Sequence, residues 1–145
     1  MKTGDFSKRP IKVFLSHSEA DSAVARKVRD QLTHYSTSSV FTNADLSAGE
    51  NWQAKLEREL KRADVFIAVL TPQAVSSNWV LQELGAAWSL EKPIIAVVTD
   101  FAMLDRFPIQ LRGYQAFKIG DLDTTKGLDR FVKAIEQAPA LLPTA

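Results

Sequence analysis

Asp64-Val65-Phe66-Ile67-Ala68-Val69-Leu70-Thr71-Pro72 decides the fold: VFIAVL is an unbroken apolar run, closed by a proline. A strand with one wet face alternates polar and apolar residues. A continuous run of this length, rich in β-branched residues, fits a strand covered on both faces, as in a parallel sheet flanked by helices. Pro93 to Thr99 (PIIAVVT) repeats the pattern, and Ile11 to Ser16 (IKVFLS) is a third run of the same kind. Val40 to Thr42 and Ala116 to Ile119 read as two further short strands.

Between the strands the period changes. Asp21 to Tyr35 places Val24, Val28 and Leu32 at steps of four, as an amphipathic helix does. Trp52 to Ala63 repeats it through Trp52, Leu56 and Leu60, with charges on the other face. A helix holding Trp79 and Glu83 runs to about Leu90, and Leu128, Phe131, Val132 and Ile135 mark a last one ending near Pro139. Phe101 to Gln115 contains Pro108 and Gly113 and reads as a loop with a short helix. The order predicts an α/β fold: a flavodoxin-like, doubly wound five-stranded parallel sheet flanked by helices. One domain is expected over residues 11–138, with short tails at 1–10 and 139–145.

Composition removes several function classes. The 145 residues carry a formal charge of +1 with acids and bases interspersed, so no basic run addresses nucleic acid. Cysteine is absent, and His17 and His34 are far apart, so neither a thiolate nucleophile nor a metal site is expected. No apolar run reaches membrane-spanning length and residues 1–10 are polar, so neither a membrane partner nor a signal segment is expected, and the expected compartment is cytoplasmic. GxGxxG, GxxxxGK[ST] and GxSxG are all missing, which argues against a dinucleotide fingerprint, a P-loop and a nucleophile elbow. A phosphoacceptor receiver needs acids after the first strand, where this chain has Ser16-His17-Ser18.

Sheets of this kind bind ligands outside the carboxyl ends of their strands. Suspicion therefore falls on Ser16 to Ser18, on Asn43 to Asn51 and on Thr71 to Asn78. Trp79 and Glu83 lie one helical turn apart on one face, beside an apolar stripe of Val80, Leu84, Ala87 and Trp88. Glu83 is then a carboxylate at the margin of a core, next to an aromatic plate, able to bind a sugar diol or offset a developing positive charge. The plain alternative is a surface Glu on an amphipathic helix. Trp52 and Trp88 continue apolar stripes and are assigned to core or interface. Ser18 reads equally as a helix cap, Ser47-x-x-Glu50 as a capping box, Asp45 and Leu46 equally as a solvated turn, and His34 as a surface residue. Asp100, Asp105 and Arg106 have no assigned role.

Four segments together carry a family resemblance. They are Lys12 to Ser18 with Asp21, then Val40 to Asn43 through Leu46-Ser47-Ala48-Gly49 to Trp52, then Asp64 to Pro72 with Ser77-Asn78-Trp79 and Glu83-Leu84, and last Pro93 to Val98. In that order, over roughly Lys8 to Ile135, the chain resembles a TIR (Toll/interleukin-1 receptor) domain of the bacterial, stand-alone type. The second segment looks like the family's BB loop and the third like its WxxxE motif. The chain departs from the pattern in a BB loop about one residue short, in Asn43 where many relatives have an acid, and in Val80 where many have Cys.

The resemblance implies an NAD+ glycohydrolase or cyclase. It would release nicotinamide and ADP-ribose or a cyclic ADP-ribose isomer, with NAD+ as substrate and neither metal nor bound cofactor. Glu83 is then the catalytic carboxylate, while Trp79, His17, Ser18, Asp45 and Leu46 surround the substrate. Departure of neutral nicotinamide leaves an oxocarbenium-like ribose, the charge that glycosidases also meet with carboxylates. It further implies activation by self-assembly with other TIR domains, as a homo-oligomer or filament, and a role in bacterial immunity or in depleting host NAD+. Two alternatives remain: an adaptor that binds TIR domains without turnover, and another N-glycosyl transferase of similar fold, such as a nucleoside deoxyribosyltransferase. Glu83 with Trp79 weighs against the first, and the BB-like loop against the second.

Overall fold

The computed structural model describes residues 10–36, 38–45 and 51–141. Its strands are β1 (Ile11–Ser16), β2 (Ser38–Phe41), β3 (Val65–Leu70), β4 (Ile94–Val98) and β5 (Gln115–Lys118). All pair in parallel, in the order β2-β1-β3-β4-β5, with Val13 opposite Val65 and Phe66 opposite Ile94. The expected flavodoxin-like sheet is therefore the observed one, with β1 and β3 at its centre. Every residue of β3 and β4 is buried, as their unbroken apolar runs require.

Among the described residues five α-helices cover the sheet: α1 (Ser22–Tyr35), α2 (Trp52–Arg62), the one-turn α3 (Pro72–Val75), α4 (Asn78–Ser89) and α5 (Thr125–Gln137). Alternation along the strands divides the core in two. Val13, Leu15, Val65, Ile67 and Val97 pack with Ala25, Val28 and Leu32 of α1 and with Phe131 and Ile135 of α5. Phe14, Phe66, Ala68, Leu70 and Val98 pack on the other face with Leu60 of α2 and with Val80, Leu84 and Ala87 of α4.

Local chemistry sets the helix starts. Asn51 accepts the Ala54 N–H at 3.2 Å and caps α2, Thr71 caps α3 ahead of Pro72, and Ser77 caps α4 by accepting from Val80. Each such cap is worth about 1 kcal/mol. The Ser47–Glu50 pair read as a capping box lies outside the described residues.

Several expectations change. β2 begins two residues earlier than the apolar pattern indicated, at Ser38. Phe101 to Gln115 is, as expected, a loop with a short helix, the 3-10 turn Phe101–Asp105, but the segment also buries Met103, Leu104, Phe107 and Leu111 against the α2/α4 face. Trp52 and Trp88 are not core, being 49% and 50% exposed. In α4 the buried positions are Val80, Glu83, Leu84 and Ala87, so the stripe ends before Trp88 and includes Glu83. Among the described residues no helix is long and apolar enough to cross a membrane.

Candidate active site

The buried polar and charged residues among those described are Ser16, His17, Ser18, Asp21, Thr42, Thr71 and Glu83. The first six stand at or just beyond the carboxyl ends of β1, β2 and β3. Glu83 joins them from α4, which crosses the same end of the sheet.

Ser16 follows Phe14 by two residues, so its side chain enters the α2/α4 face. There its hydroxyl donates to Glu83 Oε1 at 2.5 Å. Glu83 is 4% exposed, and its second oxygen, Oε2, is buried with no partner. Burial raises the carboxyl from 4.5 to about 7, against the opposing pull of the Ser16 hydrogen bond. Glu83 is therefore neither a surface residue nor a residue at the core margin. It is an apolar-walled acid poised near neutrality, with one oxygen held and one free, and such an acid at a strand end marks a candidate functional group.

Trp79 is half-buried one turn before Glu83, and its buried Nε1 also lacks a partner. Trp52, the first residue of α2, packs on it with ring centroids 5.5 Å apart at 45°. The exposed Trp52 thus extends the aromatic wall beyond Trp79.

His17 and Asp45 meet on the opposite side of the sheet edge. They line a cavity of about 280 Å³ with Ser22, Arg26, Arg29 and Thr42. His17 Nδ1 lies 2.8 Å from the Ser18 carbonyl, which can only accept, so Nδ1 carries the proton. Asp45 is half-buried and paired with Arg29 at 2.7 Å, and it accepts the Thr42 N–H at 2.9 Å. Arg29 also donates to the Val40 carbonyl at 2.8 Å, so the segment after β2 is fixed to α1. The solvated-turn reading of Asp45 does not hold.

Ser18 makes no cap to the turn Glu19–Asp21. Its hydroxyl donates to Asp21 Oδ2 at 2.7 Å, and Thr71 donates to the same oxygen at 2.5 Å. Asp21 thereby ties the end of β1 to the end of β3. Leu46 lies outside the described residues.

Sequence reasoning named Ser16 only as a neighbour of the strand end and missed its bond to Glu83. The signal was present in the alternation, since residue 16 must share a face with Phe14 and hence with α4. Arg29 was not singled out, and Asp21 and Thr71 were named only by their place at strand ends, because the pairing of Arg29 with Asp45 and of Thr71 with Asp21 joins residues remote in sequence. No group of three or more His, Asp or Glu able to hold a metal occurs among the described residues.

The chain is similar to a protein of Brachypodium distachyon named "Probable 2' cyclic ADP-D-ribose synthase", at 24% identity over 128 residues. The match covers 87% of this chain and 55% of that protein, so the chain spans about half the length of that curated relative. Among solved structures, a metazoan TIR-STING receptor from C. gigas superimposes with a TM-score of 0.66 at 18% identity, over 93% of this chain and 42% of that one. An NADH:FMN oxidoreductase in its apo form gives 0.51 at 17% identity, over 92% and 90% of the two chains. Both likenesses speak to the fold alone. The sequence profile of the TIR domain matches residues 13–135, most of the chain, and the chain belongs to the TIR-domain family.

Proposed function

We propose that the domain cleaves the nicotinamide–ribose bond of NAD+ with Glu83 as its catalytic carboxylate. The observation that carries this reading is the free, buried Oε2 of Glu83 at the carboxyl end of the sheet. When the C1′–N bond breaks, its electron pair goes to the pyridinium nitrogen and nicotinamide leaves neutral. Positive charge develops on the ribose, and an ionised carboxylate in a poorly solvated site offsets it. A cationic substrate also favours ionisation of an acid that burial has raised to about 7. No general acid is needed for the leaving group. Water attacking C1′ and losing a proton to solvent gives ADP-ribose, while a hydroxyl of the product in place of water gives a cyclic isomer. The name of the Brachypodium relative supports the cyclase arm.

The remaining residues take roles around this step. Trp79, with Trp52 beside it, walls the nicotinamide side. The cavity of His17, Arg26, Arg29 and Asp45 lies across the end of β1 from Glu83, where the nucleotide half of a dinucleotide extends. Arg26 has no carboxylate partner among the described residues and is available to phosphate. Ser18 supports the site through Asp21, and Leu46 keeps the substrate contact that the family resemblance implies for it. Catalysis is activated by self-assembly with further TIR domains, and the family's role in bacterial immunity is the corresponding biological setting.

Incubation with NAD+ followed by chromatography tests the reading. Nicotinamide appearing with ADP-ribose or a cyclic isomer supports it. No release at high protein concentration favours an adaptor that binds without turnover. A dilution series tests assembly separately: the rate per molecule is expected to rise with concentration as light scattering detects larger species. A flat rate in a monomer removes activation by assembly and leaves the chemistry standing.

A further inference from the structure

Glu83 has two chemically equal oxygens, and the fold makes them unequal. Oε1 accepts the Ser16 hydroxyl at 2.5 Å, and Oε2 has no partner. Ser16 is 1% exposed and is the last residue of β1, a central strand held on both sides by β2 and β3. Its hydroxyl is therefore delivered from a rigid backbone, whereas Glu83 reaches it across a flexible side chain. A hydroxyl donor strengthens the charged form of the acceptor more than the neutral one.

We infer that Ser16 is a positioning residue, which turns Oε1 of Glu83 into the sheet end, presents Oε2 to the ligand, and favours the carboxylate over the acid. This rests on the reading of Glu83 as the group that meets the ribose. Among the described residues no other ionisable group competes for that role. α4, α3 and β3 carry no second charged residue, and β1 carries only Lys12 near its far end. From α2, Lys55 and Glu59 are half-buried and Glu59 is paired with Arg62. Asp21 is occupied by Ser18 and Thr71, and His17 faces the cavity across β1. The two influences on the Glu83 carboxyl are burial, which raises it, and Ser16, which lowers it.

The test compares Ser16→Ala, Ser16→Cys and Ser16→Thr with the wild type. The rate kcat/KM for NAD+ is followed over about pH 5 to 9, where a free-enzyme acid of this kind reports its titration. In parallel, the infrared carboxylic C=O stretch of Glu83 is titrated, with Glu83→Gln as the subtraction control. The infrared measurement requires no turnover. In Ser16→Ala both midpoints are expected to rise by about one pH unit, so that the rate below the midpoint falls about tenfold and recovers towards the wild type at alkaline pH. Ser16→Cys, a poorer donor, gives a smaller rise and serves if the alanine protein does not fold. Ser16→Thr keeps the hydroxyl and restores both midpoints. An infrared midpoint that does not move in Ser16→Ala overturns the inference, as does a loss of rate equal at every pH. If the infrared midpoint moves but the wild type releases no nicotinamide, the NAD+ reading fails while the Ser16–Glu83 coupling stands.

Discussion

The two ends of the sheet differ in kind. At the amino end, Trp88, Glu91, Lys92, Ile94 and Tyr114 line an open cavity of about 750 Å³, far larger than the one beside His17. Its one buried-side cation is already satisfied, since Lys92 Nζ donates to the carbonyls of Lys61 and Ala63 at 2.6 and 2.9 Å. At the carboxyl end the spaces are smaller, yet the buried polar and charged residues among those described gather there, and two atoms at that end, Glu83 Oε2 and the Nε1 of the half-buried Trp79, have no partner. Volume alone would point to the wrong end. A buried polar atom left unbonded costs stability, and a fold keeps such a cost where something else occupies the atom in use.

The sharpest way to break this contrast is Glu83→Gln. Nicotinamide release is expected to fall about a thousandfold, the scale of losing one electrostatic contact to a transition state. Stability moves in the opposite direction, and its pH dependence fixes the sign. Glu83 titrates at about 7 in the folded chain against 4.5 unfolded, so the folded state holds its proton longer. The wild type therefore loses stability as pH rises from about 4.5 to about 7, by about 3 kcal/mol in full, and stays at the lower level above that. Glu83→Gln lacks this loss. Denaturant melts are expected to show it gaining on the wild type between about pH 4.5 and pH 7 and holding that gain above. Near-wild-type turnover in the variant removes Glu83 from the chemistry, and parallel pH profiles remove the account of its titration.

Asp21→Ala ranks next and separates support from chemistry at the same end. It leaves the Ser18 and Thr71 hydroxyls buried without their shared acceptor. A loss of about 3 kcal/mol in thermal or denaturant melts is expected. A loss under about 1 kcal/mol would show that water replaces the carboxylate and that β1 and β3 are not tied through it.

Much of this architecture was legible because it depends on pattern. VFIAVL and IIAVV fit doubly covered strands, and α1 and α4 followed from steps of three and four. What escaped was pairing between segments remote in the chain. Nothing local marks Asp45 as the partner of Arg29, or Thr71 as the partner of Asp21. Glu83 was read at the core margin because a charged residue is rarely given a core position. Yet its place three residues after Val80 and four before Ala87 puts it on the buried face. Trp88 was misplaced for the converse reason: a large apolar residue one step beyond Ala87 is already turned about 100° away from that face.

At the amino end the expected effects are smaller and confined to stability. Lys92→Met removes a cation from the last carbonyls of α2, a favourable place for positive charge. A cost of about 1 kcal/mol is expected in thermal melts, with nicotinamide release per folded molecule unchanged. A fall in turnover without a fall in stability would carry the chemistry to this end and break the contrast.

Glu91 gives the smallest effect and the only gain at this end. It follows α4 with φ +58°, in the left-handed region that non-glycine residues rarely adopt. The backbone explains why it is held there. Glu91 N–H bonds the Trp88 carbonyl at 3.0 Å and Lys92 N–H bonds the Ala87 carbonyl at 3.0 Å, a Schellman closure that needs a left-handed residue at this point. An L side chain there costs about 1–2 kcal/mol, and a glycine avoids that cost while adding freedom to the unfolded chain worth about 0.4–1 kcal/mol. The difference leaves Glu91→Gly more stable by about 0.5–1 kcal/mol. The Glu91 side chain is exposed, and no side-chain hydrogen bond or ion pair among the described residues opposes the exchange. Melting temperature should rise slightly, with the NAD+ reaction untouched. A melting temperature that falls in Glu91→Gly would mean that the glutamate makes a favourable contact at the cavity, and that the amino end holds more than a helix stop.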